Sequence, residues 1–577
     1  MLLRLTSLFC ACSVAGCLDA SDLSLKFPLQ SDIAESSLWV ALDAGPGFGS
    51  TVVEVAVEQR VFLAFQADVI LKIEGNAVLE ARHYQNYKWQ AAPVDAFKVT
   101  ALGDAIQLQL KAPGREFDRV RAVQWFTLNE HVIVTSDQAR IARSAEDLYL
   151  PEYYSVSPAG ALELKGRFGA IDAKPRIYQM LPRLFGNANE TRQVNGTLAE
   201  NGAGKFSALN ERVLAGFRVD GFTHIWLTGV LQQATSTDYS AVGQAPDDPD
   251  LLKGIAGSPY AIRDYFDVSP DFADEPAKRL EEFQALTERM QAAGLSVVID
   301  FVPNHVARSY ESDIRPDLVF GNKDRTGLYF DPDNNFFDLT PEVAEGSGPL
   351  RLPTVDRHTG KIINETARLV GNADGYFCPE RVHGRVTGNN VASWRPSNGD
   401  WYETVKLNYG FDFLNRDRAP DYPSAISPRK RVPDTWQKMD AIIAYWQELG
   451  VDGFRVDMAH MVPPEFWKWM IHRAQTRAPD VFFYAEAYND DPAKVPSRDP
   501  AIRENDSVML TLLDAGFQAV YDDPGYDTLE HLTAGELWAN DLDAVESELG
   551  GFFFDCAVRY AENHDEIRLA HPETWGA

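Results

Sequence analysis

Four short segments bring carboxyl groups, two histidines and an arginine into one recurring pattern. They are Val297-Val-Ile-Asp300-Phe-Val-Pro-Asn304-His305, Gly453-Phe-Arg455-Val-Asp457, Phe483-Tyr-Ala-Glu486-Ala and Glu562-Asn563-His564-Asp565. Each lies at or just past a short apolar run that reads as a strand, which is where a parallel α/β barrel carries its reactive groups. Three acids and two histidines at one barrel mouth suit glycosidic-bond chemistry, in which one carboxyl protonates a leaving oxygen and another meets the developing positive charge.

The local chemistry of two of these segments can be read directly. Arg455 and Asp457 stand two apart on a strand, so both side chains share a face, and a guanidinium beside a carboxylate holds it ionised. Glu486 sits in the apolar run Phe482-Phe-Tyr-Ala-Glu-Ala, where desolvation is expected to raise its pKa toward that of a general acid.

The elements that must position these groups follow from periodicity. Strand-like runs recur at 176–181, 224–228, 296–302, 453–458, 482–487, 517–522 and 557–562. Between them lie amphipathic segments, with Leu280, Phe283, Leu286 and Met290 on one stripe and Trp436, Met439, Ile443 and Trp446 on another. Alternating strands and helices imply a parallel sheet with right-handed crossovers, and seven strands point to a (β/α)₈ TIM-type barrel. The chain stops at Ala577, soon after the seventh strand, so the barrel's C-terminal end is expected to be truncated or open. Residues 307–430, rich in Gly, Pro, Asn and Asp, are too long for an ordinary βα loop and read as a domain inserted over the barrel mouth.

Residues 17–165 alternate short β-rich runs with turns, among them Leu38–Leu42, Thr51–Val57 and Ile106–Leu110, and predict an N-terminal β-sandwich before a catalytic region at 166–577. That sandwich reads either as a sugar-binding module or as a structural brace. Residues 1–16 read as a signal peptide, with Arg4 followed by an apolar stretch too short to span a bilayer. Its end, Val14-Ala15-Gly16-Cys17, resembles the bacterial lipoprotein box, which implies acylation of Cys17, export and a membrane anchor through the lipid. Of five cysteines, Cys10 and Cys12 would leave with the signal, and Cys378 and Cys556 are too few for a disulfide framework. The net charge of −30 argues against a nucleic-acid partner, which needs clustered Lys and Arg.

In this order, the four segments resemble the signature regions of the α-amylase family of glycoside hydrolases. The likeness extends through Tyr178-Gln-Met-Leu-Pro182, Gly221-Phe-Thr-His-Ile-Trp-Leu227 and Ser258-Pro-Tyr260-Ala-Ile-Arg-Asp264-Tyr265, roughly residues 175 to 570. The resemblance implies the (β/α)₈ barrel with its insertion after strand three. It makes Asp457 the nucleophile, Glu486 the general acid/base and Asp565 the carboxylate on the hydroxyls of the reacting sugar. His305, Arg455, His564 and the Tyr260 ring would bind that sugar, with Arg455 also holding Asp457 ionised and Asp300 holding Arg455. Carboxyl groups roughly 5–5.5 Å apart would give retention of anomeric configuration. Trp226, Trp394 and Trp401 are candidates to extend the aromatic platform, and Arg568 reads as a partner of Asp565 or a surface charge.

Asn304 resembles a residue that ligates Ca²⁺ in calcium-dependent members, but Met461 stands where those members have a histidine. Calcium is thus an optional expectation, and no cofactor is required for the chemistry. The reading is an exported retaining α-glucan hydrolase. A transglycosidase of the same family is the near alternative, and a non-catalytic glucan-binding surface protein the distant one. A metal-dependent hydrolase using His305, His460 and His564 lacks clustered ligand spacing.

Overall fold

The structure is a computed structural model of the 577-residue chain. It describes residues 174–568 apart from 357, 424–428, 489–507 and 542–555, and before them 22–28, 37–43, 50–56, 59–74, 76–85, 88–102, 105–111, 122–129, 132–135, 139–141, 147–149, 152–156 and 162–166. The expected signal peptide and Cys17 lie outside the described residues. The chain divides into two units, Met1–Asp172 and Ala173–Ala577, a boundary a few residues beyond the expected one.

The described residues of the first unit are mainly β-structure, in one nine-stranded and two three-stranded sheets, with one short 3-10 turn at Val94–Ala96. Period-two alternation on the strand Ser37–Asp43 explains how the layers meet. Leu38, Val40 and Leu42 join a core with Phe97, Val99 and Leu108 of one small sheet. Trp39 and Ala41 face the other way, into a core with Val61, Leu63 and Ala67 of the other. The large sheet is therefore covered on both faces, one layer more than the expected two-sheet sandwich.

The second unit carries the predicted parallel sheet. Its strands are β1 (Ile177–Met180), β2 (His224–Leu227), β3 (Ser296–Phe301), β4 (Gly453–Val456), β5 (Phe482–Ala485), β6 (Ala519–Tyr521) and β7 (Ala557–Val558), hydrogen-bonded in sequence order. β2 to β5 are almost wholly buried and read as continuous apolar runs, as a sheet covered on both faces requires. The sheet curves far enough that Gln179 on β1 reaches His564 beyond β7, with Nε2 and Nδ1 2.8 Å apart.

Helices cover the outside: α1 (Glu211–Val219), α2 (Arg279–Ala292), α3 (Asp434–Glu448), α4 (Pro464–Arg477), α5 (Val508–Asp514) and α6 (Asp523–Thr533). Asn210 caps α1 by accepting from the Val213 N–H, and Pro464 opens α4 where its missing N–H costs nothing. The two stripes predicted from periodicity are the buried faces of α2 and α3, with Leu280 at a half-buried margin. Trp446 ties α3 to the strand Ile262–Val268 in the β2–α2 connection. Its indole N–H donates to the Tyr265 carbonyl at 2.8 Å, and Phe283 packs edge-on against its ring at 5.4 Å.

Residues 307–430 leave the sheet after β3 and return along Thr404–Lys406, which pairs antiparallel with His305–Ala307. Tyr329, Phe337, Leu350, Phe377, Trp394 and Tyr402 form a hydrophobic cluster there, together with Leu251 from the β2–α2 connection. Trp394 is thus core, not platform.

Trp446→Ala should cost about 3–5 kcal/mol by opening a cavity between α2 and α3 and leaving the Tyr265 carbonyl without its donor. Chemical denaturation of the full chain checks this, and a loss below about 1 kcal/mol would contradict the packing described.

Candidate active site

Sheet register builds the centre of the site. Asp300 on β3 and Arg455 on β4 are register partners, and Asp457 lies two residues beyond Arg455 on the same face. Arg455 is fully buried, and its guanidinium serves three carboxylates. Nη1 lies 3.0 Å from Asp457 Oδ1 and 3.3 Å from Asp300 Oδ1, while Nη2 lies 2.9 Å from Glu486 Oε1. Nε donates to the Tyr521 hydroxyl at the end of β6 at 3.1 Å. The rings of Trp226, Tyr260 and Tyr521 sit 5.1, 5.5 and 5.6 Å from the cation and exclude water from it. Asp300 has no part on the cavity wall. Its other oxygen accepts the Gly229 N–H at 2.9 Å. Gly229 has φ +67°, and a Cβ there would stand 2.5 Å from Pro259, so the position requires glycine.

A cavity of about 350 Å³ opens above this centre, lined by Lys253, Ser258, Tyr260, His305, Trp401, Glu403, Thr404, Asp457, Met458, Glu486, Tyr488 and Asp565. Asp457, Glu486, Asp565, Tyr260 and His305 thus line one cavity, as the sequence predicts. Arg455 lies directly beneath. His564 stacks on the Tyr260 ring, with centroids 5.4 Å apart and planes 24° apart, and hydrogen-bonds the Tyr260 hydroxyl through Nε2. That same nitrogen is 3.2 Å from Asp565, whose side chain is 48% exposed at the cavity lip. Arg568 pairs instead with Glu562, at 3.2 Å.

The protonation pattern differs from the sequence expectation. Burial and the Glu486 charge push Asp457 well above the carboxylate range, and Arg455 only partly offsets them. Burial also acts to raise Glu486, but Arg455, the Met458 N–H, the Tyr488 hydroxyl and Asp457 together outweigh it and hold Glu486 below its usual value. The physical reason is the donor count. Glu486 accepts from Met458 N at 2.8 Å and Tyr488 Oη at 2.9 Å, while Asp457 must share one guanidinium nitrogen with Asp300. The two directions favour a protonated Asp457 beside an ionised Glu486 in the free site. Burial raises Asp300 to about 6 against the opposing pull of Arg455, and burial together with Arg455 lowers His564 to about 4. His305, buried and near Lys406, is lowered to about 3, so both imidazoles are neutral near pH 7.

Sequence reasoning missed Tyr488, Tyr521, Gln179, Lys253 and Glu403. Tyr488 stands two residues past Glu486, and strand alternation alone could have brought it to the same side. Lys253 and Glu403 pair at 2.9 Å from loops 150 residues apart, which no local pattern signals. Met458 adopts φ +44°, unusual for a non-glycine residue, and that turn aims its N–H at Glu486. Asn304 is buried behind the cavity. Its amide nitrogen lies 3.0 Å from both the Gly388 carbonyl and His305 Nδ1, and its oxygen accepts from Lys406 Nζ.

Residues 179–340 match the α-amylase family, described as the α-amylase catalytic domain. An α-1,4-glucan:maltose-1-phosphate maltosyltransferase of Cereibacter sphaeroides is 43% identical over 60 residues, 10% of either chain. The enzyme of that name from Rhodospirillum rubrum is 39% identical over 143 residues, 25% of this chain and 18% of the relative. The matched stretches thus span a tenth to a fifth of these relatives' length. Among solved structures, an α-amylase from Lactobacillus plantarum is similar over 68% of this chain and 64% of that one, with TM-score 0.39 and 20% identity.

Arg455→Met would leave Asp300, Asp457 and Glu486 facing one another without a cation. The folded pKa values of Asp300 and Asp457 would then rise further above the unfolded value near 4, and that of Glu486 would rise from below it, so stability is greatest below about pH 4 and falls as pH rises through the folded values. The variant should lose roughly 3–5 kcal/mol at neutral pH. Its melting temperature should also drop more steeply between pH 5 and 8 than that of the unmodified chain. Parallel pH slopes would mean that Arg455 is not what holds these carboxylates.

Proposed function

With an α-amylase-family catalytic domain as the premise, we propose that this chain is a retaining glycosidase acting on α-glucans, with Asp457 as nucleophile and Glu486 as general acid/base. The observation that carries the reading is the pair of carboxyls, Asp457 and Glu486, held by one buried guanidinium and lining the same cavity. Inverting chemistry needs a wider gap, with room for water between the carboxyls.

The pair shares a proton, and its place decides reactivity. As a sugar settles in the cavity, positive charge developing at its anomeric carbon favours an ionised Asp457, and the proton passes to Glu486. Asp457 then bonds to the anomeric carbon while the glycosidic bond breaks, and Glu486 gives its proton to the departing oxygen. In the second half, Glu486 takes a proton from an incoming hydroxyl, which displaces Asp457 from the anomeric carbon. Tyr260 offers its ring to the sugar face, and Asp565 and His564 are placed to bond its hydroxyls. No step uses a cofactor.

Water as the incoming hydroxyl makes the chain a hydrolase; a second sugar makes it a transferase, the reading that the names of the matched relatives favour. A phosphorylated donor fits this cavity poorly. The lysine among its lining residues is already paired with Glu403, and three further carboxyls line the wall. Unphosphorylated maltooligosaccharides are therefore the proposed substrates.

Asp457→Asn should lower turnover of maltooligosaccharides by roughly 10⁴-fold, about 5.5 kcal/mol in the barrier, while the protein stays folded. Proton NMR of the first product from the unmodified chain should show the α-anomer. An initial β-anomer, or turnover retained in the variant, would remove this assignment. The ratio of longer to shorter products then separates transfer from hydrolysis.

Export and lipid anchoring at Cys17 are proposed from Val14-Ala15-Gly16-Cys17. Cys17→Ser should shift the expressed protein from the membrane fraction to the soluble one. An unchanged distribution would end the anchor proposal.

A further inference from the structure

Lys406 is a buried lysine that the mechanism above does not use. It ends the strand by which residues 307–430 return to the barrel, and its side chain is almost wholly inaccessible. Nζ donates to Asn304 Oδ1, just past β3, and to the Met461 carbonyl, four residues past Asp457, at 3.2 Å. The Phe413 ring lies 3.9 Å from it. A side-chain amide oxygen and a main-chain carbonyl converging from two loops are hard oxygen donors of the kind that bind Ca²⁺. Here their convergence point is filled by an amino group. No carboxylate joins them, and among the described residues no group of three or more His, Cys, Asp or Glu could hold a metal ion. The residues around Asn304 therefore do not fit the calcium site that the sequence resemblance suggests.

The consequence reaches the cavity through a directed chain of hydrogen bonds. Because Asn304 Oδ1 accepts from Lys406, its amide nitrogen is the donor toward His305 Nδ1, at 3.0 Å. That fixes the tautomer of His305, with the ring proton on its other nitrogen. His305 also pairs through its backbone with Lys406 itself. One side chain thus ties the end of β3, the loop after β4 and the returning strand to one another.

We propose that the Lys406 amino group is a built-in substitute for a structural cation, which makes the junction of these loops independent of calcium and sets the tautomer that His305 presents at the cavity wall. Lys406 is a positioning residue, since it touches no substrate. The inference does not depend on which sugar hydroxyl or water is the acceptor.

The test uses the full chain and its melting temperature, first with excess EDTA and then with excess calcium chloride. The unmodified protein should move by less than about 1 °C in either, since a ligand with no site shifts nothing. A fall with EDTA that calcium restores would overturn the proposal. Lys406→Met should melt several degrees lower. It should also raise KM for maltooligosaccharide about tenfold with kcat within about twofold, the signature of lost binding geometry. A Met variant indistinguishable from the unmodified chain would also overturn it. Should Lys406→Met fail to fold, Asn304→Asp decides. This near-isosteric change sets a carboxylate against the amino group, and its melting temperature should remain insensitive to calcium. A calcium-dependent rise would show that a metal, not Lys406, belongs there.

Discussion

One guanidinium holds the catalytic half of the molecule to its shape. Arg455 is buried among three carboxyls, and neither partner set is tolerable alone. An unpaired arginine on the inner face of a parallel sheet, or three carboxyls within a few ångströms, would each cost several kcal/mol. The pairing is therefore mutually obligatory, and it fixes more than charge. Since Asp300 and Arg455 are register partners, the ion pair also opposes slippage of β3 against β4, which would turn each side chain to the other face. Asp457 inherits its position from that register, and Glu486 from the next strand over.

The same arrangement sets the acid–base state. A cation shared three ways cannot hold every partner ionised in so dry a setting, so Asp457 is pushed up while Glu486 is held low. Local donors decide which carboxyl is protonated, and they favour an anionic Glu486 in the empty cavity. A sequence-level argument counts the neighbouring arginine and the apolar strand but not the Met458 N–H, because that donor exists only through the left-handed turn at Met458. This is why the expected pKa order of the two acids is reversed while the residues themselves are brought together as expected.

What was legible in the chain follows the same divide between local and distant causes. All seven strands and the stripes on α2 and α3 could be read because each is a property of a few consecutive residues. The carboxyl positions could be read because strand ends carry them. The layering of the first unit could not, since a strand buried on both faces, such as Ser37–Asp43, shows an unbroken apolar run whose partners lie far off. Nor could the fate of Trp394 and Trp401, two aromatics seven residues apart in one excursion. The first fills the core of residues 307–430, and the second reaches the cavity and packs 5.2 Å from His305.

The walls of the cavity therefore differ in kind. Its floor, Asp457 with Arg455 beneath, stands on hydrogen-bonded strands whose register is fixed by buried ion pairs. Its rim, formed by Tyr260, Trp401, Glu403 and Tyr488, comes from loops with no ladder of their own. A reaction that demands fixed separation between two carboxyls needs the first kind of support. Recognition of a chain of sugars needs surface that loops can vary. Lys406 and the Lys253–Glu403 pair are where the two kinds meet, each fastening the returning end of residues 307–430 to a neighbouring segment. On the proposed function, substitutions at the rim alter which glucan is held, whereas substitutions beneath Asp457 alter whether any bond is broken.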